Sequence, residues 1–389
     1  YRDKVKDKAR ATEAATKAVD LDPTSLVGLM VSGDLAYDAG RFLEAAKHYE
    51  MVAGRADALP QADAVRVVVQ YIEALSRSGS TDKALGTVDT LMRLAPDSPD
   101  ALASAARVLL DAADAKRALE LFEKLLDGFG DRLSPRQRAD ALLGLGDARH
   151  RLGDLDGAIA PLSEAADLDP ESSAAIDVLC RVQEAKGDFE ELVRIKTRRL
   201  DALSGEARTN LLLEIGDICF QKLNDRTRAS KSYVAALDER PDDRRVLTKL
   251  MQLYSEEKDW SRLVEVVLKL ASMVGDAKQK AKYMHTAAIV AGRQMGDSAK
   301  AAAYYDEVLE LDPSLDKALS EAIDVRDQLG DHEGVERLLK LQLDQATDTG
   351  DRDKMLSTFD KLGYLYRDKL GWTSEAIDAF EAAQTLDAE

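Results

Sequence analysis

The chain has 389 residues, of which 72 are acidic and 54 are basic, and its formal net charge at pH 7 is −18. This balance, without a Lys/Arg block interleaved with aromatic residues, argues against DNA or RNA as a ligand, because nucleic-acid phosphates would be repelled. No stretch approaches 18 consecutive apolar residues. We therefore expect no membrane span and a cytoplasmic location.

The apolar residues recur at helical spacing in pairs of short segments. In the clearest pair, Leu142 and Leu145 share one face of a first helix, and Leu162 lies on the apolar face of a second. Gly153 marks the turn between them, and Pro170 ends the second helix because proline cannot donate the next helical hydrogen bond. This pattern predicts a helical hairpin in which neither helix buries its apolar face alone.

The hairpin recurs along the chain. Prolines punctuate the sequence at intervals of 71 to 74 residues, at Pro23, Pro96, Pro170, Pro241 and Pro313. Each interval holds two hairpins, and the equivalent positions of the ten first helices are Gly33, Ile72, Ala106, Gly146, Cys180, Gly216, Met251, Ala288, Ile323 and Gly363. Spacings of this size indicate an array of helical repeats, and the true period is two hairpins.

The pattern resembles the tetratricopeptide repeat (TPR) family, whose unit of about 34 residues has Leu-Gly, Ala-x3-aromatic and Pro positions. One repeat matches these positions at Leu145-Gly146, Ala158, Leu162 and Pro170. The Ala-x3-aromatic element recurs at Ala45/Tyr49, Ala118/Phe122, Ala229/Tyr233 and Ala376/Phe380. The resemblance implies an all-α fold, a right-handed α-solenoid of antiparallel helix pairs.

On this resemblance, residues 1–389 form one continuous solenoid. A truncated repeat at 1–23 precedes ten repeats, near 26–59, 65–97, 99–130, 139–170, 173–205, 209–241, 244–275, 281–313, 316–349 and 356–389. The segment from Tyr1 to Val5 is similar to that from Tyr366 to Leu370, which is predicted to end a first helix. We therefore expect the chain to begin in mid-repeat, as a fragment of a longer array.

No arrangement of residues predicts catalysis, a cofactor or a metal site. The four histidines are widely separated, whereas a zinc site needs three or four converging ligands. Cys180 and Cys219 occupy buried-type positions, where core packing is favoured over a disulfide because free cysteine behaves as a small apolar residue. Gly-Asp dipeptides such as Gly146-Asp147 and Gly153-Asp154 recur in the sequence, but none follows a predicted β-strand, so no phosphate-binding loop is predicted. The sequence therefore predicts that the protein is not an enzyme.

The surface of the array is the remaining candidate for function. The resemblance implies that the first helices line a concave face that binds peptides or partner helices. Exposed positions on that face are expected at Asp34, Tyr37, Glu73, Arg107, Asp147, Arg181, Asp217, Phe220, Gln252, Asp324 and Tyr364. The aromatic members are the strongest anchors expected, and packing against neighbouring repeats is the alternative for them.

The resemblance therefore favours a non-catalytic scaffold or adaptor that binds partner proteins or peptides. The acidic balance favours a basic or mixed-charge partner, and solubility explains the same charge equally well. Two alternatives stay open: a recruiting or regulatory arm of a larger enzyme whose catalytic domain lies outside these residues, and a spacer or self-assembling array. Family members that clamp a peptide's terminal carboxylate use a Lys and Asn pair, which is absent at Met30/Asp34, Leu143/Asp147 and Leu213/Asp217.

Overall fold

The computed structural model describes residues 8–388, and within this range the chain forms helices and no β-strand. It divides into two units, unit 1 up to Ile195 and unit 2 from Lys196. No helix within the described range is both long and apolar enough to cross a membrane. The segment from Tyr1 to Val5, on which the start in mid-repeat is predicted, lies outside the described residues.

Even-numbered helices are the first helices of hairpins, and odd-numbered helices are the second. Unit 1 contains α1 (Lys8–Leu21), α2 (Leu26–Asp38), α3 (Phe42–Ala53), α4 (Gln61–Arg77), α5 (Thr81–Leu94), α6 (Pro99–Asp111), α7 (Ala115–Phe129), α8 (Pro135–Arg151), α9 (Leu155–Leu168), α10 (Ala174–Lys186) and the start of α11 (Phe189–Arg198). From α1 to α10, each helix packs on its neighbours in sequence, and α4 and α8 both also contact α6.

Unit 2 repeats this arrangement. Its helices are α12 (Gly205–Gln221), α13 (Arg226–Glu239), α14 (Arg244–Glu257), α15 (Trp260–Ser272), α16 (Ala277–Ile289), α17 (Ser298–Leu311), α18 (Asp316–Leu329), α19 (His332–Thr349), α20 (Arg352–Leu365) and α21 (Thr373–Ala388). Each of these helices packs on the next one in sequence. The described part of the chain is thus an all-α array of antiparallel helix pairs.

The two helices of a hairpin approach closely where a first-helix glycine faces a large side chain of the second helix. A Cβ at Gly33 would lie 2.6 Å from Tyr49 Cε1, and one at Gly216 would lie 2.6 Å from Tyr233 Cδ1. Both tyrosine rings are fully buried, so they fill the space that the missing side chains leave. These glycines therefore serve helix packing.

The period of two hairpins is visible in the helix ends. Five second helices, α1, α5, α9, α13 and α17, each end two residues before a proline, because proline disfavours helical backbone in the residue before it. The first helices that directly follow these prolines, α2, α6, α10, α14 and α18, have 13 or 14 residues. The first helices of the intervening hairpins are longer, and α4, α8 and α12 have 17 residues each. Long and short first helices therefore alternate.

Two of the longer first helices end in a π-turn. The helix α16 continues into Val290–Gln294, and α20 continues into Tyr366–Leu370. After the first of these π-turns, the Asp297 N–H donates to the carbonyl of Ala291, six residues earlier, at 2.9 Å. In most other hairpins the equivalent backbone hydrogen bond spans five residues. The widened turn accommodates one additional residue between the paired helices.

Aspartate starts seven of the described second helices and accepts a backbone N–H of the first turn, at Asp114, Asp154, Asp188, Asp225, Asp259, Asp297 and Asp331. Asp331 accepts from the Gly334 N–H at 2.9 Å and forms an ion pair with Arg326, which is only 9% exposed. The Gly334 hydrogen bond holds the pKa of Asp331 below its usual value of 3.8 and outweighs the effect of burial. A carboxyl group whose pKa is lower in the folded protein than in the unfolded chain stabilises the fold at pH values above its unfolded-state pKa. This contribution is lost as the pH falls through its folded-state pKa.

Replacing Asp331 with asparagine should reduce the loss of stability in acid. Asparagine keeps the helix cap but loses the ion pair with Arg326, so the free energy of unfolding at neutral pH should fall by about 1 kcal/mol, a value discounted because solvent screens a partly exposed carboxylate. As the pH falls below 3.8, the usual pKa of aspartate, the difference between the two proteins should shrink. Urea midpoints measured across this range test the assignment, and a pH-independent difference would contradict it.

Candidate functional site

A groove with a volume of about 950 Å³ lies along the first helices α4, α6 and α8. We call it the unit 1 groove. Most of its lining comes from α4 and α6, with Phe122 and Leu125 of α7 and Ala141 of α8 among the rest. Sites of this size hold a small molecule or several side chains of a bound segment. First helices therefore line a concave surface in unit 1.

The groove is open because α6 presents small side chains to it. Ala103 occupies the register position that Leu143 and Leu213 fill in other first helices. Phe122 reaches the lining because α8 has a glycine opposite it: a Cβ at Gly144 would lie 2.6 Å from Phe122 Cε1. Larger residues at either position would narrow the groove.

Two serine hydroxyls beside the groove have no hydrogen-bond partner among the described residues. They are Ser76 Oγ on α4 and Ser104 Oγ on α6, and both oxygen atoms are buried. Burial of an unpaired hydroxyl costs free energy, and rotation about χ1 moves the hydroxyl between staggered positions.

One end of the groove carries a charged cluster from three first helices. Tyr37 of α2 donates its hydroxyl to Glu73 Oε2 of α4 at 2.8 Å. Burial and this hydrogen bond raise the pKa of Tyr37 to about 12, against the positive charges of Arg77 and Arg107. The structure thus brings together Tyr37, Glu73 and Arg107, three of the residues expected on the concave face.

Neither arginine of this cluster forms a close ion pair with a described residue. The Arg77 guanidinium lies 5.5 Å from the ring centroid of Tyr37 and 5.2 Å from that of Phe42, and it forms no ion pair with any described residue. Arg107 is exposed and approaches Asp140 at 3.8 Å, beyond hydrogen-bond distance. Both guanidinium groups retain hydrogen-bonding capacity for an external acceptor.

Asp34 is buried, and the expectation that it is exposed was wrong. The residue is 4% exposed, and its carboxylate accepts from the Tyr49 hydroxyl at 2.8 Å and from Arg66 at 3.1 Å. Tyr49 comes from the paired helix and Arg66 from the next first helix, so together they cover the carboxylate. Asp34 therefore joins three helices of unit 1.

Asp147 and Arg181 lie together in unit 1, outside the lining of the groove. The Arg181 guanidinium is 3.9 Å from Asp147 Oδ1 and its side chain is 60% exposed, whereas that of Asp147 is 14% exposed. Asp147 also accepts from Arg151 at 2.8 Å. This pair therefore presents a guanidinium, rather than a carboxylate, to solvent.

Asp217 forms the equivalent internal contacts in unit 2. Its carboxylate accepts from the Tyr233 hydroxyl at 2.6 Å and from Lys249 Nζ at 2.9 Å. Burial, together with the hydrogen bond to Asp217, raises the pKa of Tyr233. Asp217 is half-buried, so it stabilises the hairpin and keeps only part of its carboxylate at the surface.

The other expected residues of unit 2 lie at its surface and are not linked to one another by hydrogen bonds or ion pairs among the described residues. They are the half-buried Phe220 and the exposed Gln252, Asp324 and Tyr364. The side chain of Tyr364 packs edge-on against Phe380 with ring centroids 5.3 Å apart, so the ring is both a packing residue and an exposed surface. These four residues stay candidate contacts.

A cluster centred on Glu321 was not anticipated from the sequence. This carboxylate, on α18, contacts His285 Nε2 at 2.6 Å, Arg293 at 2.7 Å and the Tyr305 hydroxyl at 3.1 Å. Burial raises the pKa of Glu321, but hydrogen bonds from His285 and Tyr305 outweigh this effect and lower it. The cluster joins α16, α17 and α18, and its contacts occupy both carboxylate oxygens.

Three groove residues, Arg77, Ser76 and Ser104, were missed by reading the sequence. The available signal was the small Ala103 at a position where two other first helices have leucine, Leu143 and Leu213. Within the described residues, no group of three His, Cys, Asp or Glu side chains is placed to hold a metal ion. Cys180 and Cys219 are buried and form no disulfide.

Models of the tetratricopeptide repeat match residues 72–135 and 104–173 in unit 1, and residues 281–315 and 356–389 in unit 2. A comparison with curated protein sequences finds no match. The family matches therefore fall on both units, and they cover the helices α6 and α8 that line the unit 1 groove.

Similar solved structures are themselves TPR proteins. A tetratricopeptide repeat protein from Parabacteroides merdae is 15% identical, with a TM-score of 0.43, and the match covers 67% of this chain and 97% of that one. MamA from Desulfovibrio magneticus RS-1 is 22% identical, with a TM-score of 0.38 and coverage of 43% and 89%. YrrB, described as a TPR protein with an unusual peptide-binding site, is 18% identical, with a TM-score of 0.37 and coverage of 52% and 99%. On these matches, residues 72–173 of unit 1 and residues 281–315 and 356–389 of unit 2 consist of tetratricopeptide repeats.

Proposed function

We propose that this chain is a non-catalytic scaffold or adaptor that holds a segment of a partner protein in the unit 1 groove. Tetratricopeptide repeats support a role in protein interaction in general. The observation that carries the specific proposal is the opening at Ala103, where small side chains on α6 leave a concavity of about 950 Å³ between neighbouring first helices.

The chemistry of the lining supports a polypeptide as the ligand. Apolar side chains such as Val65 and Val69 lie beside amides, hydroxyls and guanidinium groups. Bound segments use such a mixture, with apolar contacts supplying affinity and a few polar groups fixing orientation. The residues Phe220, Gln252, Asp324 and Tyr364 of unit 2 are proposed as further partner contacts.

Filling the groove tests this function. Tryptophan in place of Ala103 would occupy the space between α4 and α6, so partner binding should fall about tenfold or more, the effect of a steric overlap of 1–3 kcal/mol. The measurement is photo-crosslinking in the native cell with p-benzoylphenylalanine at Asp111, an exposed lining residue of α6, in the presence and absence of Ala103→Trp.

The matched control is Thr248→Trp, which places the same side chain at the equivalent register position of α14, where residue 248 is exposed. It should leave crosslinking at Asp111 unchanged. Crosslinked partners that persist in the Ala103→Trp protein would contradict binding in the groove. A scaffold without a specific ligand would give no protein crosslink at this position.

A further inference from the structure

Three consecutive first helices of unit 2 carry exposed basic side chains at neighbouring positions, although the formal net charge of the protein is −18. They are Arg244 at the start of α14, Lys282 on α16 and Lys317 on α18. Lys282 and Lys317 both lie six residues before the equivalent first-helix positions Ala288 and Ile323, and Arg244 is one residue away from that register on α14. We call these three residues the unit 2 basic row.

A direct contact between α16 and α18 places the two lysines on one surface. His285 Nε2 of α16 lies 2.6 Å from Glu321 Oε2 of α18. Lys282 is three residues before His285, and Lys317 is four residues before Glu321. Residues at these spacings share a helix face, so each lysine lies one helical turn from the contact between the two helices.

The charges of the unit 2 basic row have no ion-pair partner among the described residues. Arg244 Nη2 donates to the Tyr283 hydroxyl at 2.9 Å, and this partner is uncharged. Tyr283 directly follows Lys282, so the guanidinium lies beside that part of α16. The amino groups of Lys282 and Lys317 form no hydrogen bond or ion pair within the described range. All three cations are therefore available to an external anion.

The acidic residues near the row do not cancel its charge. Residues 243–249, 276–286 and 315–321, which form the N-terminal parts of α14, α16 and α18 with their caps, hold seven basic and four acidic residues, histidine not counted. Of the basic residues, Lys249 pairs with Asp217. The four acids have other partners: Asp243 pairs with Arg245 at 2.7 Å, Asp316 with Lys354 at 2.6 Å and Glu321 with Arg293 at 2.7 Å, and Asp276 accepts from the Gln279 N–H at 2.8 Å. The local balance is positive.

We infer that the unit 2 basic row binds an acidic segment of a partner protein, which crosses α14, α16 and α18 in a polyproline II conformation. Packed helices lie about 8–10 Å apart. A polyproline II chain has three residues per turn and rises about 3.1 Å per residue, so every third side chain points the same way, about 9 Å further along. Carboxylates at every third position therefore face successive first helices.

The neighbouring residues limit the length of the acidic part. At the register position of Lys282 and Lys317, α12 has Asn210 and α20 has Ser357, which are uncharged, so three carboxylates match the row. Further along α18, the exposed Asp324 would repel a longer polyanion such as DNA. The inference is independent of the unit 1 groove, and it differs from the basic partner that the overall charge favours.

The test is the affinity of the full chain for a labelled 12-residue peptide of alanine and proline with three aspartates, each separated by two residues. Its ends are acetylated and amidated, so that side chains alone supply charge. Kd is measured by fluorescence anisotropy at about 0.1 M ionic strength, where a Debye length of about 10 Å screens distant acidic residues. Replacing one aspartate by asparagine should weaken binding up to about fivefold, the effect of one exposed ion pair. Placing the three aspartates consecutively should weaken it by a similar factor.

Variants of the protein locate the site. Lys282→Gln and Lys317→Gln should each weaken the spaced peptide up to about fivefold. The matched control is Lys231→Gln, which removes an exposed lysine of the second helix α13 and should leave Kd unchanged. Unchanged urea midpoints show that the variants are folded.

Several results would overturn the inference: no binding of the spaced peptide, equal binding of the asparagine or consecutive versions, or lysine variants that bind as the unaltered chain does. Single-stranded DNA of equal charge that binds more tightly than the peptide would identify a phosphate ligand instead. Weaker binding by Ala103→Trp would place the peptide in the unit 1 groove. The crosslinking at Asp111 tests the groove separately, so either proposal can fail without the other.

Discussion

Alanine at position 216 should destabilise unit 2 by about 1–3 kcal/mol, the usual effect of overpacking a well-filled core. Its Cβ would lie 2.6 Å from Tyr233 Cδ1, and the ring cannot move away freely because its hydroxyl is bound to Asp217 at 2.6 Å. Alanine favours helical backbone over glycine by up to about 1 kcal/mol, so a net loss of stability measures the steric contact. The measurement is the urea midpoint of the full chain.

The control for this prediction is Gly86→Ala in the middle of α5. Nothing lies within 4 Å of a Cβ at Gly86, so alanine should stabilise the helix by up to about 1 kcal/mol through backbone entropy alone. If the free energy of unfolding falls in Gly216→Ala and rises in Gly86→Ala, close helix packing, and not helix propensity, explains why glycine is needed at position 216. A stabilising Gly216→Ala would refute the packing explanation.

Alanine in place of Asp34 should lower the free energy of unfolding of unit 1 by about 2–4 kcal/mol. The substitution leaves the fully buried Tyr49 hydroxyl without this acceptor and removes the carboxylate that Arg66 faces. Loss of an acceptor for a buried donor costs about 1–3 kcal/mol. Loss of the pairing with Arg66, whose side chain is 41% exposed, adds about 1 kcal/mol or less. Chemical denaturation followed by helical circular dichroism measures the change.

A double substitution separates the causes. Asp34→Ala combined with Tyr49→Phe removes the donor and the acceptor of this hydrogen bond together, so it should recover a large part of the loss. Asp324→Ala, at an exposed position, is the surface control and should change stability by less than about 0.5 kcal/mol. A double variant no more stable than Asp34→Ala would show that the Tyr49 hydrogen bond is not the source of the effect.

The hairpins were predictable because their signals are local. Leu142, Leu145 and Leu162 lie at helical spacing, and Pro170 follows the end of α9 by two residues. Each of these features depends on residues within one or two helical turns of one another, so it can be recognised from the local sequence. The same holds for the Ala-x3-aromatic element, whose Tyr49 and Tyr233 are buried against first-helix glycines.

The state of individual surface residues was less predictable because it depends on partners far away in sequence. Asp34 occupies a first-helix position that the family resemblance places on the concave face, yet it is buried by Tyr49 and Arg66, which are 15 and 32 residues away. The groove also arises from what neighbouring helices lack, since Ala103 is small and Gly144 admits Phe122. Periodicity places a residue on a face, but only packing decides whether that face is open.

The small side chains of α6 make the concavity a property of a single short helix rather than of the repeat as such. A surface of this kind can change through single substitutions. A larger side chain at Ala103 would close the groove, and a smaller one at Leu143 or Leu213 would open a similar groove in another repeat. Ligand choice is then separable from the scaffold, since the contacts that hold the hairpins together lie on glycines, alanines and buried tyrosines that need not change. Transplanting the inner face of α6 into another first helix should therefore move the proposed binding groove without redesigning the array.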